Sequence, residues 1–425
     1  MSTLKIASSA LIFLVIIATM DGAARCSQLP GNVSVGEVLE KIANGEAVDY
    51  NGVTITGDLD LSEVSLPKDE NGRMMVTSKI CINNSVVNGE VNFDNAGFGR
   101  AIDLCNTTFQ RNTSFYGSQF ANKADLRGAS FLEHANFEMV DFQNWIDLSG
   151  AVFSKGAWFN YSESKAYLNF SAVRFVGPAS FEGMAFDGYT DLTDARFEDS
   201  TSFFMAVFSQ ETRFDGAWFM GIANFNDSRF EDYVYFTGTS FNGPVSLNKT
   251  KISNWMIDWS SINDHLVYNE AAYQGLMQMF WVVGEFRAYD DCYYQYRWQR
   301  QLHEPMSIYK VMDLFAWVSC GYGVKPLRAL GFGLSMIIFF GIIFWRLKLV
   351  SNLQSPNKPH NQLHGTSSIS AFEEAMYFSL MMFLTRPPYG LHPAERWRYL
   401  IIIEYLSGWL TMALFLVTLA RLIVR

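Results

Sequence analysis

The sequence predicts a mainly β protein, in which a solenoid is followed by an α-helical hairpin and a two-helix transmembrane module. Two observations support this prediction. A large apolar residue recurs every 11 residues through the middle of the chain, and two long apolar runs lie near the C-terminus. Repetition at a short, fixed period is typical of solenoids, whose units bury their apolar faces against neighbouring units. Apolar runs of about 20 residues are typical of membrane-spanning helices.

The first predicted element is a secretory signal peptide over residues 1–24. Lys5 gives a basic start, residues 10–18 form a short apolar core, and small residues at 22–24 precede Arg25. This order is typical of a signal peptide, with an uncleaved anchor as the alternative. In both cases the next domain is expected to be exported. Residues 25–80 are then expected to form an N-terminal cap.

The solenoid is predicted over residues 81–253, where two series of large apolar residues alternate. The first series is Leu104, Phe115, Leu126, Phe137, Leu148, Phe159, Phe170, Phe181, Leu192, Phe203, Phe214, Phe225, Phe236 and Leu247. The second is Phe109, Phe120, Phe131, Phe142, Phe153, Phe175, Phe186, Phe197, Phe208, Phe219, Phe230, Phe241 and Ile252, and it fails once, at Ser164. The spacing alternates between five and six residues, which fits neither a helical period nor a plain strand period. Short extended edges joined by tight corners of Gly, Asn and Asp fit it.

Two stretches carry the repeat most clearly, ADLRGASF at residues 124–131 and TDLTDARF at residues 190–197. Their pattern of Ala-x-Phe or Ala-x-Leu resembles the pentapeptide-repeat family. This resemblance implies a right-handed quadrilateral β-helix. Because the spacing alternates between five and six, we expect coils of about 22 residues rather than about 20. The resemblance predicts the fold and leaves the function open, since solenoids carry unrelated activities.

The charge is distributed unevenly. Residues 31–260 contain 30 acidic and 16 basic residues, whereas the remainder of the chain contains 11 acidic and 14 basic residues. This asymmetry predicts an acidic domain followed by a membrane-associated one. Eight Asn-x-Ser/Thr sequons in the acidic part favour an exported glycoprotein. They begin at Asn32, Asn83, Asn106, Asn112, Asn160, Asn169, Asn226 and Asn248.

The five cysteines are spread thinly and form no Cys-x-x-Cys motif, which argues against a zinc or redox site. Cys81 and Cys105 are 24 residues apart, close to one coil. We therefore expect a disulfide between them across adjacent coils, in an oxidising compartment. Asp290 and Asp291 have no cluster of ligands around them, so we interpret them as solvated surface charge rather than as metal ligands.

The last third of the chain is predicted to be helical. Residues 254–305 are expected to form a Tyr-rich helical linker, and residues 306–326 an amphipathic helix at the membrane interface. Residues 327–348 and 399–421 are predicted transmembrane helices, each apolar and flanked by Arg. The loop between them, residues 349–398, contains an apolar run at 371–384 that is too short to span a bilayer.

The order of span, short helix, loop and span resembles the pore module of two-helix potassium channels. Tyr377, Phe378 and Ser379 match the pore-helix segment, and Glu404 and Gly408 match a Glu and a Gly of the inner helix. The resemblance implies that residues 371–384 form a re-entrant, pore-like helix. The positions that correspond to the filter region are Thr385, Arg386, Pro387, Pro388, Tyr389 and Gly390.

The filter-like segment departs from a potassium filter, which has Gly-Tyr-Gly-Asp where this chain has residues 387–390. Proline fixes φ and cannot take the backbone geometry of a filter glycine, and Arg386 adds a positive charge. Potassium selectivity is therefore disfavoured, while a wide or non-selective pore, an anion-tolerant pore and no pore remain open. Glu404 is either a functional carboxylate or a side chain that reaches the interface. Gly408 is either a hinge or a close helix contact.

The function most favoured by the sequence is a non-classical ion-channel subunit in a cell membrane, with an extracytoplasmic repeat domain. The alternative is a surface scaffold or adhesion protein anchored by non-conducting helices. Expected partners are membrane lipid, further copies of the chain (a tetramer, for instance) and an extracellular or envelope partner. No phosphate-binding loop, metalloprotease motif or nucleophile elbow occurs, so we expect neither an enzyme nor a cofactor. The predicted export argues against DNA mimicry and any nucleic-acid partner.

Overall fold

The computed structural model describes residues 31–349, 368–384 and 397–423. It divides into two units, one ending at Ala272 and the other beginning at Tyr273. The first unit contains a parallel β-solenoid of about ten turns, and the described part of the second consists of helices and their connections. The solenoid predicted from the 11-residue spacing is therefore confirmed.

Each short strand of the solenoid pairs in parallel with the strand 22 residues later, as Ile102 does with Ala124. Four ladders of such pairs run along the coil, and the third and fourth join into one sheet through the long strand Arg229–Phe236. The two 11-residue series therefore become four columns of side chains, one for each ladder. The right-handed sense of the coil stays a prediction.

The strands of each ladder are as follows. The first ladder contains Gly31–Ser34, Val53–Thr56, Val86–Val87, Thr108–Phe109, Ser130–Phe131, Val152–Phe153, Arg174–Phe175, Arg196–Phe197, Trp218–Phe219 and Ser240–Phe241. The second contains Leu59–Asp60, Val91–Asn92, Thr113–Ser114, Ala135–Asn136, Ala157–Trp158, Ala179–Ser180, Thr201–Ser202, Ala223–Asn224 and Val245–Ser246. The third contains Met74–Val76, Ala96–Phe98, Gln119–Phe120, Asp141–Phe142, Glu163–Ser164, Ala185–Phe186, Val207–Phe208, Arg229–Phe236 and Lys251–Ile257. The fourth contains Val48–Asn51, Ile80–Asn83, Ile102–Asp103, Ala124–Asp125, Ile146–Asp147, Leu168–Asn169, Thr190–Asp191 and Thr212–Arg213, and it ends on Arg229–Phe236.

The interior of the coil is filled by stacked phenylalanine rings. One column contains Phe115, Phe137, Phe159, Phe181, Phe203 and Phe225, with successive ring centroids 4.8 to 5.1 Å apart. These rings are fully or almost fully buried. Since burying a Phe side chain contributes about 1.5–3 kcal/mol, the columns are the main source of stability that the repeat provides.

The gap in the second apolar series is filled from the same coil. Ser164 is buried where its neighbours carry a ring. Phe170, six residues later, occupies the column position that Leu148 and Leu192 hold in the adjacent coils. The Phe170 ring lies 5.4 Å from that of Phe159. A larger side chain in one column thus accompanies the smaller one in the next.

Two corners of each coil require a left-handed backbone. The φ angle is positive at one residue in every 11, in two columns. One column contains Asn84, Asn106, Gly128, Gly150, Ala172, Asp194, Gly216 and Gly238, and the other contains Asn95, Gly117, Met139, Tyr161, Gly183, Met205, Asp227 and Lys249. Gly, Asn and Asp adopt this conformation readily, which confirms the prediction of Gly, Asn and Asp at the corners. A bulky residue such as Met or Tyr pays about 1–2 kcal/mol for it.

The solenoid is closed by helices at both ends. Helix α1 (Val35–Ala43) begins after Ser34, whose side chain accepts a hydrogen bond from the Gly36 amide, and buries Val38 and Ile42. A short 3-10 helix follows at Leu61–Glu63. Parallel pairing already begins at Gly31, so the region predicted as an N-terminal cap contains the first coil as well. Helix α2 (Trp259–Ile262) follows the last long strand.

The helices after the solenoid are α3 (Glu270–Val283), α4 (Phe286–His303), α5 (Ile308–Cys320), α6 (Pro326–Arg346), α7 (Ser368–Phe383) and α8 (Arg398–Ile423). Local signals set their limits. Ser307 caps α5 by accepting a hydrogen bond from the Lys310 amide, and Gly321 ends the helix in the left-handed conformation. Pro326 starts α6, where its missing N–H costs no hydrogen bond.

Candidate functional site

Two helices of the second unit are long and apolar enough to cross a membrane. They cover Pro326–Arg346 in α6 and Arg398–Arg421 in α8. Both carry exposed apolar side chains along their length, such as Leu334 and Ile338 on α6 and Leu406 and Leu416 on α8. Such surfaces are unfavourable in water and suit lipid or another apolar helix.

Helix α7 packs against both of these helices at glycine positions. A methyl group added to Gly408 of α8 would lie 2.4 Å from the carbonyl oxygen of Phe383 in α7. One added to Gly341 of α6 would lie 2.4 Å from the Sδ atom of Met376. The glycines therefore allow the backbones to approach, as small residues do between membrane helices. Of the two interpretations of Gly408, this geometry favours the close contact.

A polar contact joins the three helices in the interior. Ser379 Oγ of α7 lies 2.8 Å from the carbonyl oxygen of Ile337 in α6 and also bonds Glu404 Oε1 of α8. Both Ser379 and Glu404 are fully buried, and Glu404 Oε2 has no hydrogen-bond partner. One serine proton cannot serve two acceptors, whereas a protonated Glu404 donating to Ser379 would leave the serine free to donate to Ile337. Glu404 is thus an interior group, not one that reaches the surface beside Arg398.

A second polar cluster lies where α6 begins and α8 ends. Asp290 of α4 pairs with Arg421 of α8 at 2.9 Å, and Asp291 pairs with Lys325 at 2.6 Å. The Arg421 guanidinium also lies 5.2 Å from the ring centre of Tyr293. Our interpretation of this acidic pair as solvated charge is wrong, because each carboxylate faces a cation from another segment. The sequence gave no local signal for it, as the partners are 131 and 34 residues away.

The filter-like residues Thr385 to Gly390 lie outside the described residues. Within the described part of the chain, no group of three or more His, Cys, Asp or Glu side chains is placed to hold a metal ion. The site consequently consists of a buried serine–glutamate contact between three helices, with a polar cluster at one end of the two candidate spans.

Comparison with known proteins gives one match. Residues 115–163 and 192–240 fit a family model for pentapeptide repeats, in nine copies. The chain carries pentapeptide repeats. No curated protein and no solved structure matches it. The match lies within the solenoid, so it supports the repeat and leaves the helical unit without a relative.

The sequons of the repeat solenoid fall into two groups. Four begin at exposed asparagines, namely Asn32, Asn106, Asn112 and Asn248, and four at partly buried ones, namely Asn83, Asn160, Asn169 and Asn226. Glycosylation stays a prediction for all eight.

Corner geometry explains part of this abundance of sequons. At Asn83, Asn160 and Asn226 the next residue has a positive φ, and the serine after it is buried. Ser162, for example, donates to the Phe137 carbonyl oxygen at 2.5 Å. The corner thus selects Asn, a left-handed residue and a small hydroxyl, which is the spelling of a sequon.

The predicted disulfide between Cys81 and Cys105 is wrong. Cys105 is a free thiol, and Cys81 is disulfide-bonded to a residue outside the described part of the chain. The reason lies in the register, because Cys81 pairs with Asp103 in the next coil. Cys105 lies two residues beyond that partner, after the inward Leu104. Burial and the nearby Asp125 raise the pKa of the Cys105 thiol, which keeps it protonated at neutral pH.

Proposed function

We propose that this chain is a membrane-anchored pentapeptide-repeat protein whose helical unit forms one subunit of a non-classical ion channel. The observation that supports this most is the position of α7 between two candidate spans, joined to both by Ser379. Its 16 residues give a length of about 24 Å, short of the roughly 30 Å of a bilayer core. A pore module needs such a helix, because the loop that follows it lines the ion path.

The proposal keeps several finer expectations together. Helix α7 is re-entrant, the coil is right-handed and quadrilateral, and residues 1–24 direct the repeat domain out of the cytoplasm, where its exposed sequons are glycosylated. The disulfide at Cys81 supports an oxidising compartment. We propose no catalytic activity.

Oligomerisation is part of the same proposal. One chain supplies one pore-like loop, so a closed ion path requires several copies around an axis. The exposed apolar side chains of α6 and α8 offer surface for both lipid and neighbouring copies. A tetramer is the expected assembly.

A second candidate is favoured by the sequence of the filter-like segment. Pro387 and Pro388 stand where a potassium filter has Gly and Tyr, and proline fixes φ away from the geometry of a filter glycine. In this alternative the two spans anchor a surface scaffold or adhesion module and conduct nothing.

Ion flux decides between the two candidates. Full-length protein would be reconstituted into liposomes, its oligomeric state measured, and flux compared with that of Arg386→Glu. A channel predicts flux whose anion-to-cation preference shifts with the charge reversal, since Arg386 is the charge in the pore-like segment. Gly331→Ala is the control, because a methyl group there meets no neighbour. Correctly folded, inserted protein without flux would refute the channel and leave the scaffold.

A further inference from the structure

One corner of the solenoid carries large apolar side chains that its backbone disfavours. Met139, Tyr161 and Met205 have φ angles of 56°, 56° and 58°. Their side chains are 53%, 67% and 53% exposed, so burial does not compensate for the conformation. Other coils place Asn, Gly or Asp at the same position, without this strain. Strained residues that gain nothing from packing are candidates for function.

The neighbouring column of the same corner adds aromatic and acidic groups. It contains Asp94, Tyr116, Glu138, Asn160, Glu182, Phe204 and Asn226, each 22 residues after the last. The three carboxylates accept hydrogen bonds from serine or asparagine side chains of the coil and form no ion pair within the described residues. Tyr116 is exposed, and its hydroxyl lies 3.1 Å from Met139 Sδ. We call these residues, with Met139, Tyr161 and Met205, the Met–Tyr corner.

The spacing of the charges indicates the kind of partner. Successive carboxylates are two coils apart, or about 10 Å at the usual strand separation. That distance is close to the rise of about 10.5 Å for seven residues of an α-helix. The apolar side chains lie between the carboxylates, over a length of about 19 Å from Tyr116 to Met205. A helix with an apolar face and a basic residue every seventh position matches both the charge and the spacing.

We infer that the Met–Tyr corner is a docking surface for a basic amphipathic helical segment of a partner protein. The apolar side chains pack against the apolar face of that helix, and the carboxylates pair with its cations. This surface lies wholly within the solenoid and does not depend on whether the helical unit conducts ions.

Glycine substitution tests the proposal, because it separates binding from folding. In the triple variant Met139→Gly, Tyr161→Gly and Met205→Gly, the strain and the apolar side chains are removed together. The probe is a labelled amphipathic peptide of about 20 residues (about 30 Å as a helix) with Lys at every seventh position and Leu on one face. Binding is measured by fluorescence anisotropy to full-length protein in neutral-lipid nanodiscs, with empty nanodiscs subtracted. We expect at least tenfold weaker binding and an equal or higher melting temperature.

Two controls make the result specific. Ala172→Gly relieves the same backbone strain in the other left-handed column and should leave binding unchanged. Glu138→Gln with Glu182→Gln should weaken binding and flatten its dependence on salt, since it removes the paired charges. A scrambled peptide of the same composition, which lacks an apolar face, should not bind.

Three outcomes would overturn the proposal. The first is unchanged peptide binding by the triple variant. The second is a melting temperature several degrees lower, which would make the three side chains structural. The third is self-association of the wild-type protein that is lost in the same variant, which would assign the corner to a second copy of this chain.

Discussion

The solenoid and the helical unit bury their side chains by different rules. In the solenoid, every inward residue meets the residue 22 positions later, so Phe159 stacks on Phe181 at 5.1 Å. In the helical unit, Ser379 meets Glu404 and Ile337, at separations of 25 and 42 residues that no repeat prescribes. The comparison teaches that a periodic sequence encodes its contacts by position, whereas a helical bundle encodes only which faces are apolar.

The largest expected effect tests the solenoid side of this comparison. Phe159→Ala removes a fully buried ring from the middle of a stacked column and should lower the free energy of unfolding by about 3–5 kcal/mol. Chemical denaturation of the full-length protein, followed by far-UV circular dichroism, measures the loss. Tyr161→Ala is the control, two residues away but exposed, and should cost far less. Equal losses would mean that ring stacking is not what holds the coil.

The disulfide is expected to be next in size. Cys81→Ser should destabilise the solenoid by about 2–4 kcal/mol, since it removes a covalent constraint on the unfolded chain. Cys105→Ser removes a free thiol and should be nearly neutral. Thermal unfolding under non-reducing conditions compares the two, and peptide mapping identifies the residue bonded to Cys81. A Cys81–Cys105 linkage in that map would contradict the register described above.

The helical unit is probed by its glycines. Gly408→Ala places a methyl group 2.4 Å from a backbone oxygen of α7, and overpacking of this kind costs about 1–3 kcal/mol. Gly331→Ala, on a candidate span but facing open space, should change little. Thermal stability in detergent measures both variants. If both behave alike, α7 does not pack against α8 at Gly408.

The smallest effect concerns a buried carboxylate on the outer face of the solenoid. Burial and the nearby Asp125 raise the pKa of Asp147, so the ionised form is disfavoured in the folded state. A raised folded pKa means that the penalty is absent at low pH and grows as pH rises through the folded pKa. Asp147→Asn should therefore raise the melting temperature slightly at pH 7, and this gain should shrink toward pH 4. The next coil already has Asn169 at this position, with the same backbone contact.

Agreement between sequence and structure follows the same division. The apolar series predicted the inward columns residue by residue, including the buried Ser164. The pairing of Cys81 was not predictable, because a distance of 24 residues resembles one coil of 22 but changes which residue faces the next strand. In the helical unit, the helices were predicted close to their observed bounds. Their polar contacts were not predicted, since Asp290 and Arg421 lie 131 residues apart.

The sequence alone determined that this protein has a coiled β domain with pentapeptide repeats and two apolar helices near its C-terminus. It could do so because side-chain periodicity and apolar length are local properties. Only the tertiary structure decided that Ser379 and Glu404 share an interior, that Gly408 is a contact, and that strained Met and Tyr side chains line one corner. Those features depend on which surfaces meet in space, and that follows from packing and backbone geometry rather than from any pattern along the chain.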